Sequence, residues 1–167
     1  MGRVMDGPEL LMTRRSIRDY ANKEVPEEVL WRILDFCRYA PTSNNSESYY
    51  FVVIKNRDIC KFLSNLRAEH SEPLANAPMA VAICTDPMKT RRVIEDGCIA
   101  AYHFILSAWM CRVGTCWIGG MDRDDVKEKL KIPKEHYISS ITPLGYPAEI
   151  PEIPPRRNKE NIVKFLV

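Results

Sequence analysis

VIEDGCIAAYHFILSAWMCRV, residues 93–113, reads as one long helix and decides the fold. Between Cys98 and Cys111 only His103 and Ser107 are polar. A helix that is apolar on nearly every side must be covered on nearly every side. The stretch is too short and too interrupted by Glu95 and Asp96 to serve as a membrane span. In a chain of 167 residues, full cover is easiest when a second copy supplies one wall. The stretch therefore predicts a homodimer with a large apolar interface.

Downstream, Gly114 is expected to end this helix, and Thr115–Ile118 to form a short apolar strand before Gly119-Gly120. Paired glycines permit a tight turn or close approach of backbone to a flat ligand. Asp122 is placed to cap a helix over 123–130. Residues 137–142 alternate as a strand, broken at Leu144-Gly145-Tyr146-Pro147. The proline-rich segment 147–157 fits neither a helix nor a central strand. It reads as an extended arm, and the apolar tail Ile162, Val163, Phe165 and Leu166 is expected to dock on a partner subunit. Upstream, 78–84 and 49–54 read as buried strands. A short helix is expected over 9–13. Val25-Pro26-Glu27-Glu28 opens another, with apolar spacing through Ala40 and a stop at Pro41. A further helix is expected over 58–68, then a polar connection over 69–77. Helices mixed with strands, without strict alternation, predict a single α+β domain over 1–167, with 147–167 as its arm.

Arg14-Arg15-Ser16-Ile17-Arg18 carries three guanidiniums and a hydroxyl within five residues. Guanidiniums match phosphate oxygens two at a time. The cluster reads as an anion grip or as a solvated basic turn. A second cluster, Arg156-Arg157, follows Pro154-Pro155 near the other end. Residues 42–48 form a polar loop, a ligand-binding stretch or a plain connection. A net charge of +2 argues against nucleic acid and suits a small anionic ligand. Six cysteines form no C-x-x-C pair, and three isolated histidines have no metal-like spacing, so no metal site is expected. The absence of an obvious leader suggests a cytoplasmic protein with reduced thiols. No Rossmann fingerprint, Walker A motif or nucleophile elbow is present.

Arg14–Tyr20, Val25-Pro26, Tyr39–Ser46, Asp96, Gly114–Gly120, Ile132-Pro133 and Leu144–Pro147 together resemble the FMN-dependent nitroreductase family. The resemblance implies a central, mostly antiparallel sheet flanked by helices, in an intertwined homodimer that exchanges its C-terminal arms. It implies that Arg14, Arg15 and Ser16 hold the FMN phosphate end and that Arg18 lies under the pyrimidine edge. Pro41, Thr42, Ser43 and Asn45 would cover the ring from the opposite subunit. Ile118, Gly119 and Gly120 would lie near flavin N5, and Arg156 or Arg157 would reach the phosphate. Glu47 stands where the family commonly has an amide, against the flavin edge. The implied activity is ping-pong hydride transfer from NADH or NADPH through the flavin to nitro compounds, quinones or similar small-molecule acceptors. The flavin carries the chemistry, and no catalytic side chain is required. The alternative is a flavin-binding protein of this fold with little turnover, a sensor or carrier.

Overall fold

The computed structural model describes residues 5–166. α1 spans Gly7–Thr13, and the Asp6 carboxylate caps it by accepting from the Glu9 N–H at 2.8 Å. α2 spans Glu27–Cys37, with two glutamates complementing its positive end. β1 (Tyr49–Ile54) leads to α3 (Arg57–Ser64), capped by the Asn56 side chain. α4 (Pro73–Asn76) precedes β2 (Met79–Thr85), and α5 covers Val93–Met110. β3 (Gly114–Thr115), α6 (Asp124–Leu130) and β4 (Tyr137–Gly145) complete the domain.

The strands form one antiparallel sheet in the order β1-β2-β4-β3. Alternation along β2 sorts its side chains onto two cores. Met79, Val81 and Ile83 pack with Leu30 and Ile33 of α2 and with Ala101 and Phe104 of α5. Ala80, Ala82 and Cys84 pack with Leu63 of α3, Leu74 of α4 and Val126 of α6. The result is a sheet between two helical layers. α5 is covered on most sides, but Ile94, Ile99 and Tyr102 stay 57%, 41% and 50% exposed along one stripe. From Ala148 to Leu166 every residue is exposed, in an arm whose only regular structure is a 3-10 turn at Lys159–Asn161.

Several boundaries differ from the sequence expectation, each for a physical reason. α5 stops at Met110, not at Gly114, because Arg112 turns left-handed at φ 62°. The expected strand over 115–118 shrinks to Gly114–Thr115. β4 continues through Pro143 to Gly145. The Ile141 N–H points at Ile118 O, so the missing N–H of Pro143, two residues on, faces the same side, beyond the end of the β3 ladder. Gly145 belongs in the strand because a Cβ there would lie 2.6 Å from Pro78 Cδ and 2.8 Å from Tyr20 Cδ1. Asp122 does not cap α6. Its carboxylate accepts from the Ile138 N–H at 3.1 Å and pairs with Lys127 Nζ at 2.8 Å. α3 ends at Ser64, and the polar connection after it contains α4, whose Leu74 is fully buried. β1 is an edge strand and only half-buried in the protomer, apart from Ile54. Among the described residues, no helix is long and apolar enough to cross a membrane.

Candidate functional site

The basic segment is held beside β3. The Ile17 N–H donates to Thr115 O at 2.8 Å, and Ser16 bridges Thr115 in parallel. Ile17 is buried against Gly114, where a Cβ would come within 2.7 Å of it. With Ile17 inward, Ser16 and Arg18 face the opposite way, as period-two backbone requires. Arg14 and Ser16 then line one cavity of about 210 Å³ with Tyr102, Ile105, Cys116 and Trp117. Arg18 lines a second cavity of about 210 Å³ with Arg67, Glu69, His70, Ile118 and Gly119, and Cys116 and Trp117 border both. Two adjoining cavities therefore share a floor, with cations at each end.

Arg67 was not singled out by the sequence. It donates from Nη1 to the Gly119 carbonyl and lies against Gly120, where a Cβ would be 3.0 Å from Nη1. Gly120 itself sits at φ 69°, a conformation that favours glycine. An isolated arginine in an irregular stretch carries no local signal, and only the fold brings it to the glycine turn. Arg15 differs from its neighbours. It is buried, and its Nη1 donates to Arg14 O at 2.8 Å and Met12 O at 3.1 Å, so its guanidinium braces α1 and lines neither cavity. Burial pushes the Cys116 thiol up to about 11, with the Arg18 charge and the Tyr20 hydroxyl pulling it back only in part. Cys116 is thus an inert thiol floor.

The polar loop lies elsewhere in the protomer. Thr42, Ser43 and the residues after them pack on the first turn of α5. Buried Asp96 accepts from the Ser43 N–H at 2.8 Å, the Ser48 hydroxyl at 3.0 Å and the Ser46 hydroxyl at 3.3 Å. Desolvation alone would raise this carboxyl. The hydrogen bonds from Ser43, Thr90, Ser48 and Ser46 outweigh it and hold the group below the ordinary carboxylate value. Asn44, Asn45 and Glu47 sit at φ 53°, 53° and 47°, so the loop is fixed in a strained shape. Glu47 is exposed and lines a groove between α2 and β1, while Pro41 is exposed at the loop's start. Arg156 and Arg157 lie on the exposed arm, where Arg156 Nη1 reaches only its own Pro155 and Pro154 carbonyls, at 3.3 and 3.4 Å. Within one chain the fold gathers Arg14, Ser16, Arg18, Ile118 and Gly119, with Gly120 adjoining. It leaves Pro41, Thr42, Ser43, Asn45, Glu47, Arg156 and Arg157 outside that place.

The chemistry of the donors suits a flat ligand with an anionic tail. Arg14 and Arg18 form no ion pair among the described residues, Glu69 shares the Arg18 cavity, and the Gly119-Gly120 turn borders the Arg18 end. An FMN phosphate would be neutralised at the Arg14–Ser16 end, and its ring would lie against Ile118 and Gly119 near Arg18. Among the described residues no cluster suited to a metal ion occurs.

The fold and these cavities define a class: an α+β sandwich with two adjoining arginine-lined cavities beside a glycine turn. The nitroreductase family profile matches residues 11–146, and the chain belongs to that family. A protein of Methanothermobacter thermautotrophicus, provisionally named an NADH dehydrogenase/NAD(P)H nitroreductase, is 31% identical over 154 residues, covering 88% of this chain and 80% of its own. The structure of an FMN-dependent nitroreductase from Clostridium difficile superposes with TM-score 0.80 at 32% identity, covering 92% of this chain and 93% of that one. The NADPH:FMN oxidoreductase of Vibrio harveyi, solved with NAD+, shares the fold at TM-score 0.82 and 21% identity, covering 95% of this chain and 76% of that one.

Proposed function

We propose that this chain is the subunit of a homodimeric FMN-dependent NAD(P)H oxidoreductase that passes electrons to nitro compounds, quinones or similar acceptors by a ping-pong cycle. The observation that carries the reading is the pair of adjoining cavities with Arg14 and Ser16 at one end and Arg18, Arg67 and Gly119 at the other. When bound there, FMN supplies the hydride-accepting and hydride-donating chemistry. Arg14 and Ser16 hold the phosphate by charge-assisted hydrogen bonds. Arg18 places fixed positive charge beside the ring, where negative charge develops on reduction. Cys116 and Trp117 form the floor, where burial pushes the thiol up to about 11 and so favours its protonated form.

The remaining walls come from the second copy. The exposed stripe Ile94, Ile99 and Tyr102 on α5 is the natural contact between subunits. Once paired, the Pro41, Thr42, Ser43, Asn45 and Glu47 loop of one protomer covers the ring held by the other. The exposed arm then carries Arg156 or Arg157 to the partner's phosphate site and buries Phe165 and Leu166, now 83% and 88% exposed.

The purified protein is expected to be yellow, and anaerobic NADH or NADPH is expected to bleach it. A yellow protein that neither nicotinamide bleaches would leave a flavin carrier. A colourless protein that takes up no added FMN would refute the cofactor assignment.

A further inference from the structure

A third cleft lies on the loop side of the molecule and has no part in the cavities above. It is open, about 690 Å³ in volume, and runs between Ser43, Asn44 and Ser46 on one wall and Lys89, Arg91 and Arg92 on the other. Its lining residues bring three cations and no carboxylate. Arg92 shares its charge with Glu95, at 3.3 Å, whereas Lys89 and Arg91 form no ion pair among the described residues. The nearby acids face elsewhere. Asp96 is saturated by Ser43, Ser46 and Ser48, and Asp86 Oδ1 accepts from the Met88 N–H at 2.8 Å.

Both walls are tied in place. The Asp86 N–H donates to Ser48 O at 2.9 Å, joining the two loops. The buried Thr90 hydroxyl accepts from the Arg92 N–H at 3.0 Å and also donates toward Asp96. A cleft held by fixed loops, with the Lys89 and Arg91 charges, the Ser43 hydroxyl and the Asn44 amide facing it, suits a compact, doubly charged anion.

We propose that this cleft binds a phosphomonoester of the electron donor, the 2′-phosphate that distinguishes NADPH from NADH. The proposal rests on the reading that residues 41–47 cover the flavin of the other subunit. On that reading the cleft shares Ser43, Asn44 and Ser46 with the loop that walls the hydride-transfer site, and a nicotinamide donor bound there would extend its adenosine end toward it. Lys89 and Arg91 are the specificity-determining residues, and NADPH is the preferred donor.

The test is calorimetric titration of adenosine 2′,5′-bisphosphate and of adenosine 5′-monophosphate into the FMN-loaded protein and into its Lys89→Gln/Arg91→Gln variant. The visible flavin band of each protein reports that the cofactor site is intact. The bisphosphate is expected to bind the parent protein at least about tenfold more tightly than the monophosphate, and the variant to lose that advantage, as removal of a charge-assisted bond implies. Equal affinity for the two nucleotides, or a variant that still prefers the bisphosphate, overturns the proposal. Anaerobic mixing with NADPH and NADH separates it from the broader reading. Bisphosphate binding lost in the variant, with a flavin that neither donor bleaches, refutes the oxidoreductase and leaves the phosphate site standing. Bleaching by both donors at rates the substitutions do not change overturns the phosphate site and leaves the oxidoreductase standing.

Discussion

Replacing Asp96 with alanine should loosen the polar loop more than any other single truncation at this site. The carboxylate is 2% exposed and takes two short bonds, from the Ser43 N–H at 2.8 Å and the Ser48 hydroxyl at 3.0 Å. The Ser46 bond at 3.3 Å is longer than the usual hydroxyl geometry and counts for less. Hydrogen bonds to a charged group contribute about 1.5–3 kcal/mol each, so the gross loss is roughly 3–6 kcal/mol. Water can replace the acceptor for half-buried Ser43 but not for buried Ser48, which brings the net cost to about 2–4 kcal/mol. For a chain of this size that corresponds to a fall in Tm of about 5–15 °C. Asp96→Asn keeps an acceptor for Ser43 but loses the charge and the Oδ2 acceptor used by the Ser46 and Ser48 hydroxyls, about 1–2 kcal/mol once those hydroxyls rotate to accept from the new amide. The pH dependence has a definite sign. A carboxyl held below its ordinary value contributes stability that is fully present above about pH 5 and lost as pH falls through its folded pKa. The gap between the parent protein and Asp96→Asn should therefore be constant near neutrality and close in acid. Thermal denaturation of the three proteins from pH 3 to 8 checks this. An alanine variant within about 1 °C of the parent, or a gap that widens in acid, would refute the anchor.

Arg14→Ala should weaken FMN binding by roughly 1.5–3 kcal/mol, read by quenching of flavin fluorescence; unchanged affinity would make the cluster a surface turn. Gly97→Ala should destabilise by about 1–3 kcal/mol in urea melts, because its Cβ would lie 2.5 Å from Thr85 Oγ1 and 3.2 Å from Ser139 Cβ. Cys116, with its thiol pushed up to about 11, should resist alkylation at pH 8 in the native protein. Mass mapping of iodoacetamide adducts should find modification confined to half-buried Cys98 and Cys111, and labelled Cys116 would contradict the floor assignment.

Periodic elements were the legible part of the sequence. β1 carries the expected bounds, β2 is offset by a single residue, and α2 and α5 begin at or near their expected starts. What the sequence concealed depended on distant neighbours. Leu144-Gly145-Tyr146-Pro147 looks like a break after residue 142, yet β4 runs through Pro143, whose missing N–H faces beyond the β3 ladder, to Gly145, which makes room for Pro78 and Tyr20. Arg112, with no glycine to announce it, turns left-handed to close α5. Leu74 is buried within a stretch whose composition reads as solvated. At the candidate site, Arg14, Ser16, Arg18, Ile118 and Gly119 belong to motifs that the fold brings together. Arg67 belongs to no such motif, because its place beside Gly119 exists only after the chain has folded. Arg15 shows the converse: a motif residue whose side chain turns inward.

A flavin site shared between subunits, as proposed, is complete only when two chains associate. Native mass spectrometry of the FMN-loaded protein over a dilution series tests it most directly. A species of two chains carrying two FMN is expected, with flavin released as the dimer dissociates. A single chain that retains FMN would contradict it.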